Sequence, residues 1–248
     1  MNGAILLYGI TRGNGKRVAK ALDRTIYKLL KSAGHKLTVF QHTWEIDTIY
    51  NPRSKVNEHG VKVKNRTDWK HFQANKKIIQ DQSKFDSTVD WDNVFAGCNI
   101  SFAGGHSLDN LKNMYRQMNS LERVYKLVNG TYDYYFILRQ DLLYVDTNGD
   151  KMLESIDTLS GTSTPVINVP EWGAPKGVND RMAICNRKGA EIYCNRWRYI
   201  DTCPQNVSSE IYLDHVIHHT SARSTKFRQI GKRLRANGEI EKFDLRLK

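Results

Sequence analysis

One apolar run that passes directly into charged residues most constrains how this chain folds. Residues 134–138 read YYFIL, and an unbroken apolar run of this length is typical of a strand buried on both faces of a parallel sheet. Arg139 and Asp141 follow at its end. Ligands of open α/β sheets bind at the carboxyl ends of strands, so the sequence predicts a binding site here. The alternative is a structural ion pair, because the two side chains share a face of an extended chain.

The alternation of apolar runs with helical patterns predicts the fold class. Strands are predicted at residues 4–8, 36–40, 165–169 and 182–185, and the clearest helices at 16–31 and 107–128. Strands that alternate with helices indicate one α/β/α sandwich with a mostly parallel central sheet. A chain of 248 residues is long enough for such a domain. No apolar stretch reaches the length of a membrane span, so we expect no transmembrane segment.

The charge of the chain is strongly positive and unevenly distributed. The net charge is +12, which favours anionic partners. Half of this excess lies in the last 26 residues. We therefore divide the chain into a main domain, residues 1–220, and a basic C-terminal extension, residues 221–248, whose few apolar residues allow it to dock back. Four cysteines without CxxC spacing, together with the absence of an export signal, predict reduced thiols and a cytoplasmic protein.

A glycine-rich turn follows the first predicted strand. Residues 9–16 read GITRGNGK and lead into a helix, an arrangement that presents backbone N–H groups and a positive helix end to a phosphate. The turn is not a P-loop, because Ile10 and Arg17 stand where the motif requires glycine and Ser or Thr. Arg12 remains suited to pairing with a diphosphate. The alternative is a tight strand-to-helix turn without a ligand.

Further polar and aromatic residues lie at predicted strand ends, on loops and on helices. Trp44 follows the second strand, where it either stacks on a base or sugar or packs in the core. Glu171 and Asp180 lie on loops between apolar strands, where binding residues are frequent. His215 and His219 are one helical turn apart, a spacing that suits a metal pair, although the sequence offers no third ligand.

Several motifs in one order resemble a known family. The chain contains, in sequence, GITRGNGK, VFQHTW, NMYRQMNSL, YDYYFILRQDLLYVD and NDRMAI. This order and spacing resemble GT-A-type glycosyltransferases of the kind found in surface-glycan gene clusters and in large DNA viruses. The resemblance covers residues 1–220. It implies a GT-A-like, Rossmann-like fold, and a location in the host cytoplasm if the protein is viral.

The resemblance implies transfer of a sugar from a nucleotide-diphosphate sugar to an acceptor hydroxyl of a glycan or glycoprotein. In GT-A enzymes a strand delivers a DxD pair of acids that holds Mg²⁺ or Mn²⁺ against the diphosphate. Arg139 stands in place of the first acid, so either a cation bound by Asp141 or the guanidinium groups of Arg139 and Arg12 offset the diphosphate charge. Asp146 and His215 are weaker metal candidates.

The same resemblance, together with the strand-end positions, assigns the site residues. The residues expected to bind the donor are Gly9, Thr11, Arg12, Trp44, Gln117, Arg139 and Asp141. Asp180 is the first candidate for the catalytic base, followed by Glu171 and Glu210.

Two other functions are consistent with parts of the sequence. The glycine turn with Lys16 suggests a phosphotransferase, although the P-loop motif fails. The positive charge, twelve tyrosines and five tryptophans suggest a nucleic-acid-binding protein. Neither explains an acid and an arginine at the end of the central strand, so we expect no specific nucleic-acid partner.

Overall fold

The computed structural model describes residues 1–51, 58–63, 66–96, 108–147, 149–173, 177–202 and 208–247. The strands are β1 (Asn2–Tyr8), β2 (Lys36–Glu45), β3 (Thr48–Asn51), β4 (Glu58–Lys62), β5 (Lys76–Asp81), β6 (Tyr134–Arg139), β7 (Leu142–Thr147), β8 (Ile167–Pro170), β9 (Met182–Cys185), β10 (Lys226–Phe227) and β11 (Gln229–Arg233). The α-helices are α1 (Gly15–Leu22), α2 (Lys28–Ser32), α3 (Gln82–Asp86), α4 (Trp91–Ala96), α5 (Leu108–Lys126), α6 (Gly149–Asp157), α7 (Arg187–Cys194) and α8 (Ser209–His219). Shorter 3-10 helices span Asp68–Phe72, Arg196–Thr202 and Lys242–Arg246.

The main sheet has seven strands in the order β10-β8-β9-β6-β1-β2-β5. Four of its six pairings are parallel, and the two that involve β9 are antiparallel. Strand β6, the apolar run with charges at its end, is the middle strand of the seven. The predicted fold class, an α/β protein with a mostly parallel central sheet, is therefore confirmed.

Both faces of the sheet are covered by helices, which explains the unbroken apolar runs. Along β1, Ile5 and Leu7 face a core that contains residues of α1, α2 and α6. Ala4 and Leu6 face the opposite core, which contains residues of α5, α7 and α8. Successive strand side chains point to opposite faces, so a strand between two helix layers needs apolar residues at every position. The result is a three-layer α/β/α sandwich.

Several predicted boundaries change in the structure. Strand β2 does not end at Phe40 but continues to Glu45, because its second half pairs with β5. Strand β5 itself carries only a weak apolar signal in the sequence, as expected for an edge strand that is covered on one side. The helix predicted over residues 16–31 is confirmed, with a π-helical turn, Asp23–Tyr27, between α1 and α2. The sequence also suggests a partly extended segment over residues 93–103; it begins within helix α4, and residues 97–107 lie outside the described part of the chain.

The C-terminal residues 223–247, called the C-terminal arm below, are built into the fold. Strand β10 extends the main sheet beside β8, and β11 pairs with β7. Phe227, Ile230 and Leu234 are buried. Strands of the predicted extension, residues 221–248, thus pair with strands of the predicted domain, residues 1–220.

The sequence predicted no transmembrane segment and reduced cysteines, and the structure bears on both expectations. None of the described helices combines the length and the apolar composition that a membrane crossing requires. Cys185 and Cys194 are buried free thiols, and burial raises the pKa of both. Cys98 and Cys203 lie outside the described residues.

Candidate functional site

A polar cleft with a volume of about 680 Å³ opens at the carboxyl ends of β1, β2 and β6. Its lining comes from the glycine turn, strand β3, helix α5, the end of β6, the loop before β9, the start of α8 and the C-terminal arm. Of the residues predicted to act in catalysis or to bind the donor, those that line the cleft are Gly9, Arg12, Trp44, Gln117, Arg139, Asp141, Asp180 and Glu210. Thr11 and Glu171 are not among the lining residues. Ligand sites in open α/β sheets lie at this edge, so fold and cleft agree.

Asp141 lies between two arginines at the end of β6. Its Oδ1 accepts a hydrogen bond from Nε of Arg139 at 2.8 Å, and its Oδ2 accepts from Nη2 of the same residue at 2.8 Å. Oδ2 also accepts from Nε of Arg12 at 3.0 Å. The pair with Arg139 is therefore bidentate, the geometry in which guanidinium and carboxylate interact most strongly.

Both members of this pair are charged. Burial alone would raise the pKa of Asp141, but the charges of Arg139 and Arg12 outweigh burial and hold it well below its ordinary value. Burial likewise opposes the charged form of Arg139, while the carboxylate of Asp141 raises its pKa above the ordinary value. The ion pair, one of the two alternatives in the sequence, is present and lines the cleft. Binding of a ligand at this position stays a prediction.

The glycine turn reaches the cleft through a side chain rather than through a helix end. Arg12 has a φ of 55°, a left-handed conformation that is uncommon for a residue with a side chain. Its Nη1 donates to Oε2 of Glu58 at 2.8 Å, in addition to the contact of Nε with Asp141. The first N–H of helix α1, from Gly15, donates to the carboxylate of Asp68. An acid of the protein thus occupies the helix end at which we expected a phosphate.

Backbone groups of Gly9 and Thr11 make hydrogen bonds within the protein. Gly9 has a φ of 98°, which favours glycine, and its N–H donates to Oγ of Ser120 at 2.9 Å. Thr11 is buried, and its carbonyl accepts the N–H of Asn14 at 3.1 Å, which closes the turn.

The C-terminal arm contributes arginines that sequence reasoning did not assign. Nη1 of Arg235 donates to Glu58 at 3.1 Å, and its Nη2 donates to Glu241. Arg233 makes a bidentate pair with Asp244, at 2.8 and 2.9 Å. The only sequence signal for this contribution was the density of arginine in the arm. The sequence analysis interpreted the segment as a basic extension able to dock back and assigned no site residue to it.

Arg181, directly before β9, also contacts the arm. Its Nη1 donates to Oδ1 of Asp244 at 3.2 Å, and its guanidinium lies over the ring of Trp172, 5.1 Å from the centroid. Burial lowers the pKa of Arg181, and the neighbouring charge of Arg233 lowers it further. Arg181 and Arg233 therefore share one carboxylate and repel each other.

Trp44 is held mainly by packing. It is buried and lies beside Phe85, with ring centroids 4.6 Å apart, and its Nε1 donates to the carbonyl of Arg116 at 2.9 Å. Trp44 lines the cleft with an exposed fraction of only 2%. Packing, one of the two alternatives for this residue, accounts for all of these contacts.

Gln41, His42 and Thr43 lie inside strand β2 and not after it. The side chains of Gln41 and Thr43 both donate to Oε1 of Gln140, each at 2.7 Å. These contacts fix the turn between Arg139 and Asp141 from behind. The polar cluster supports the site and does not line it.

Asp180 combines burial with a carboxylate that is not tied to the protein. Its carbonyl accepts hydrogen bonds from the hydroxyls of Tyr193 at 2.8 Å and Tyr8 at 3.4 Å, which fix the backbone. Within the described ranges, no residue donates a hydrogen bond to its carboxylate, which lines the cleft with only 4% of the residue exposed. Glu210 also lines the cleft. Glu171 is exposed.

The residues present do not fit a divalent cation at Asp141. A cation bound to this carboxylate would lie beside two guanidinium groups, and like unit charges about 4 Å apart repel by about 4 kcal/mol at an effective dielectric constant near 20. The described residues contain no group of three acidic, histidine or cysteine side chains that could hold a metal. His215 and His219 are adjacent as predicted, with ring centroids 5.6 Å apart. The side chain of Asp146 lies outside the described part of the structure.

No protein-family model matches the chain, and no curated protein matches it in sequence. Comparison with solved structures finds similarity to several glycosyltransferases. Mouse xyloside xylosyltransferase 1 is 11% identical with a TM-score of 0.45, over 92% of this chain and 85% of that one. A glycosyltransferase involved in glycosylation of the major capsid of PBCV-1 is 11% identical with a TM-score of 0.37, over 91% and 82%. The galactosyltransferase LgtC, in complex with donor and acceptor sugar analogs, is 11% identical with a TM-score of 0.35, over 89% and 70%.

Proposed function

We propose that the protein transfers a sugar from a nucleotide-diphosphate sugar to an acceptor hydroxyl of a glycan or glycoprotein. One observation carries this proposal. Guanidinium groups of Arg12 and Arg139 and the carboxylate of Asp180 line the same cleft, at the carboxyl ends of parallel strands. Glycosyl transfer needs both kinds of group, cations beside a leaving diphosphate and a base beside an attacking hydroxyl.

The donor occupies the side of the cleft that the arginines line. The volume of about 680 Å³ lies within the range of about 300–1,000 Å³ that is usual for small-molecule sites. Arg139 contacts the diphosphate, and Gln117, which lies 3.5 Å from Nη1 of Arg139, orients the guanidinium. As the bond between the sugar and the diphosphate breaks, its electron pair passes to the phosphate oxygen, where the guanidinium stabilises the charge.

The acceptor hydroxyl approaches Asp180. The carboxylate takes the hydroxyl proton while the oxygen forms its bond to the sugar, so proton and electron pair are both accounted for. The two tyrosine hydroxyls that hold the Asp180 carbonyl keep the carboxylate in place. Glu210 is the alternative candidate for the base, because it also lines the cleft.

The test combines a donor screen with one matched pair of substitutions. UDP, GDP, CDP, dTDP and ADP are tested for thermal stabilisation of the full chain, and hydrolysis or transfer is then measured with sugar nucleotides of the base that binds. Asp180→Asn is expected to lower kcat by about 10²- to 10⁴-fold, because proton transfer is lost, while binding of the nucleotide is retained. Glu171→Gln, the control, removes an exposed acid outside the cleft lining and is expected to leave kcat unchanged.

Two outcomes would contradict the proposal. Full turnover by Asp180→Asn would remove Asp180 from the reaction. If none of the nucleotide diphosphates binds, glycosyl transfer itself is contradicted, and the nucleic-acid alternative is then tested by the salt dependence of DNA and RNA binding.

A further inference from the structure

Five arginines gather around the cleft and share four carboxylates. The arginine cluster consists of Arg12, Arg139, Arg181, Arg233 and Arg235, and the carboxylates are Glu58, Asp141, Glu241 and Asp244. All five arginines line the cleft. They come from the glycine turn, the end of β6, the loop before β9 and the C-terminal arm.

The carboxylates hold the arginines in place and leave part of some guanidinium groups without a partner among the described residues. Arg12 donates through Nε and Nη1, and no residue in the described part of the chain accepts from its Nη2. Arg233 donates to Asp244 through Nε and Nη2, and no described residue accepts from its Nη1. A guanidinium has five N–H groups in a fixed fork, so an acid on one edge positions the other edge for a ligand.

Arginines of the cluster repel one another. Four carboxylates pair with the five arginines, and the charge of Asp180 also acts on Arg139 and Arg181. Burial lowers the pKa of Arg235, and repulsion by Arg12 lowers it further; the same combination, burial with repulsion by Arg233, acts on Arg181. An anion bound among these groups would relieve the repulsion that they experience.

The cationic side chains that line the cleft are arginines rather than lysines. Six described lining residues are arginines, the five of the cluster and Arg116, and none of the described lining residues is lysine, although lysine is the more frequent of the two in the sequence. Arginine binds phosphate with two parallel N–H donors, whereas lysine offers a point charge. A diphosphate is therefore the anion that suits this lining.

We propose that the arginine cluster binds the donor diphosphate in place of a divalent cation, and that the C-terminal arm supplies part of this site through Arg233 and Arg235. The inference rests on the proposed function and specifies which groups offset the charge of the diphosphate. Asp141, expected from the resemblance to hold a metal, is in this arrangement a positioning residue that orients Arg139 and Arg12. Fixed guanidinium groups then stabilise the diphosphate as it leaves.

The first experiment measures nucleotide-diphosphate binding to the full chain by calorimetry, in EDTA and again in Mn²⁺. One of the five nucleotide diphosphates is expected to bind in EDTA with a Kd within about threefold of that in Mn²⁺, a difference below about 1 kcal/mol. Binding that requires Mn²⁺ would overturn the cation-independent site but not the proposed function. Absence of binding in both conditions would instead contradict the proposed function.

The second experiment tests the arm. Arg233→Lys keeps the positive charge next to Asp244 but loses the fork, and it is expected to weaken diphosphate binding by about 10-fold. Arg24→Lys makes the same exchange at an exposed residue that is not among the lining residues, and it is expected to bind as the wild type does. Unchanged affinity of Arg233→Lys, with a melting temperature like that of the wild type, would remove the arm from the site.

Asp141→Asn separates the two roles of that residue. A metal ligand would give a loss of binding that appears only when Mn²⁺ is present. A positioning residue gives a weaker but still cation-independent Kd, because Arg139 and Arg12 keep their charge and lose their fixed orientation. A cation-dependent loss would overturn the inference.

Discussion

His42 is a buried histidine on strand β2, directly behind the candidate site. Its Nδ1 lies 2.7 Å from Oγ of Ser120 and its Nε2 lies 3.2 Å from Oε1 of Gln80. Burial lowers the pKa of His42 from 6.5 to about 4, despite the hydrogen bond to Gln80. The folded protein therefore holds a neutral imidazole at a pH where the unfolded chain already binds a proton.

This difference predicts a specific pH dependence of stability. The unfolded chain takes up a proton below about pH 6.5, and the folded chain does so only near pH 4. The stabilisation is thus complete above pH 6.5 and is lost as the pH falls, by up to about 3 kcal/mol. Urea unfolding of wild type and His42→Gln across this range provides the measurement. We expect a flatter profile for the variant, and parallel profiles would show that His42 does not carry the effect.

For Arg139 and Asp141, the sequence pattern predicted the position of a site but not the contacts within it. Their position after an apolar run indicated a site, and both residues line the cleft. The contact of Asp141 with Arg12 joins residues 129 positions apart, and no local pattern contains it. This contact places a second guanidinium group beside the Asp141 carboxylate, which disfavours a metal ion there.

Helix α7 shows how one element is fixed to the sheet. Oδ1 of Asn186 accepts from the N–H of Gly189 at 2.9 Å, which caps the helix, and from the N–H of Val166 at 3.1 Å, which ties it to the segment before β8. A side chain at Gly189 would overlap the carbonyl of Val166. The glycine is therefore required by close approach and not by its backbone conformation.

Gly189→Ala is expected to destabilise the protein by about 2 kcal/mol or more, because the added methyl meets backbone that cannot move freely. Gly149→Ala is the control. It adds the same methyl to helix α6 at 3.0 Å from a Leu29 methyl, which can rotate away, and it is expected to change stability by less than about 1 kcal/mol. Chemical denaturation measures both. Equal effects would mean that the close contact at Val166 is not decisive.

The end of strand β2 could not be predicted from the local sequence pattern. Its second half carries Gln41, His42 and Thr43 at buried positions, so the apolar signal stops while the strand continues. These polar side chains are tolerated because other segments supply most of their hydrogen-bond partners, mainly Gln140 and Ser120. Oε1 of Gln41 has no partner among the described residues. The partners lie far away in sequence, and the extension of the strand could not be read from β2 alone.

At the scale of the whole molecule, the C-terminal arm joins the sheet to the cleft. Its strands pair with β8 and β7, and its arginines reach Glu58 and Asp244. The arm also holds the glycine turn, since Nδ2 of Asn14 donates to the carbonyl of Arg235 at 2.8 Å. The arm therefore contributes both to the sheets and to the lining of the cleft.

A chain truncated after Thr220 is expected not to fold stably. It loses the buried side chains of Phe227, Ile230 and Leu234, worth about 2 kcal/mol each, from a total stability that is typically about 5–15 kcal/mol. A chain truncated after Arg246 keeps these residues and is expected to melt like the full chain. Thermal unfolding followed by circular dichroism distinguishes them. Cooperative melting of the shorter chain near the full-length temperature would show that the arm is dispensable.

The sequence by itself determined the strands β1, β6 and β9, the helix α5 and the fold class. These elements carry complete periodic patterns, because each buries a whole face or both faces against layers that cover it. The position of Arg139, Asp141 and Asp180 next to such strands also placed them at the edge where ligands bind.

Only the tertiary structure decided which charges meet in the cleft. Glu58 and Arg235 are 177 residues apart, and the order of strands in the sheet and the return of the C-terminal arm bring them together. Ion pairs between distant segments produce no periodic pattern in the sequence, because each partner occupies a single position in its own segment. That is why the sequence supplied Arg12 in the glycine turn and an acid and an arginine at one strand end, and the fold supplied the other three arginines of the cluster.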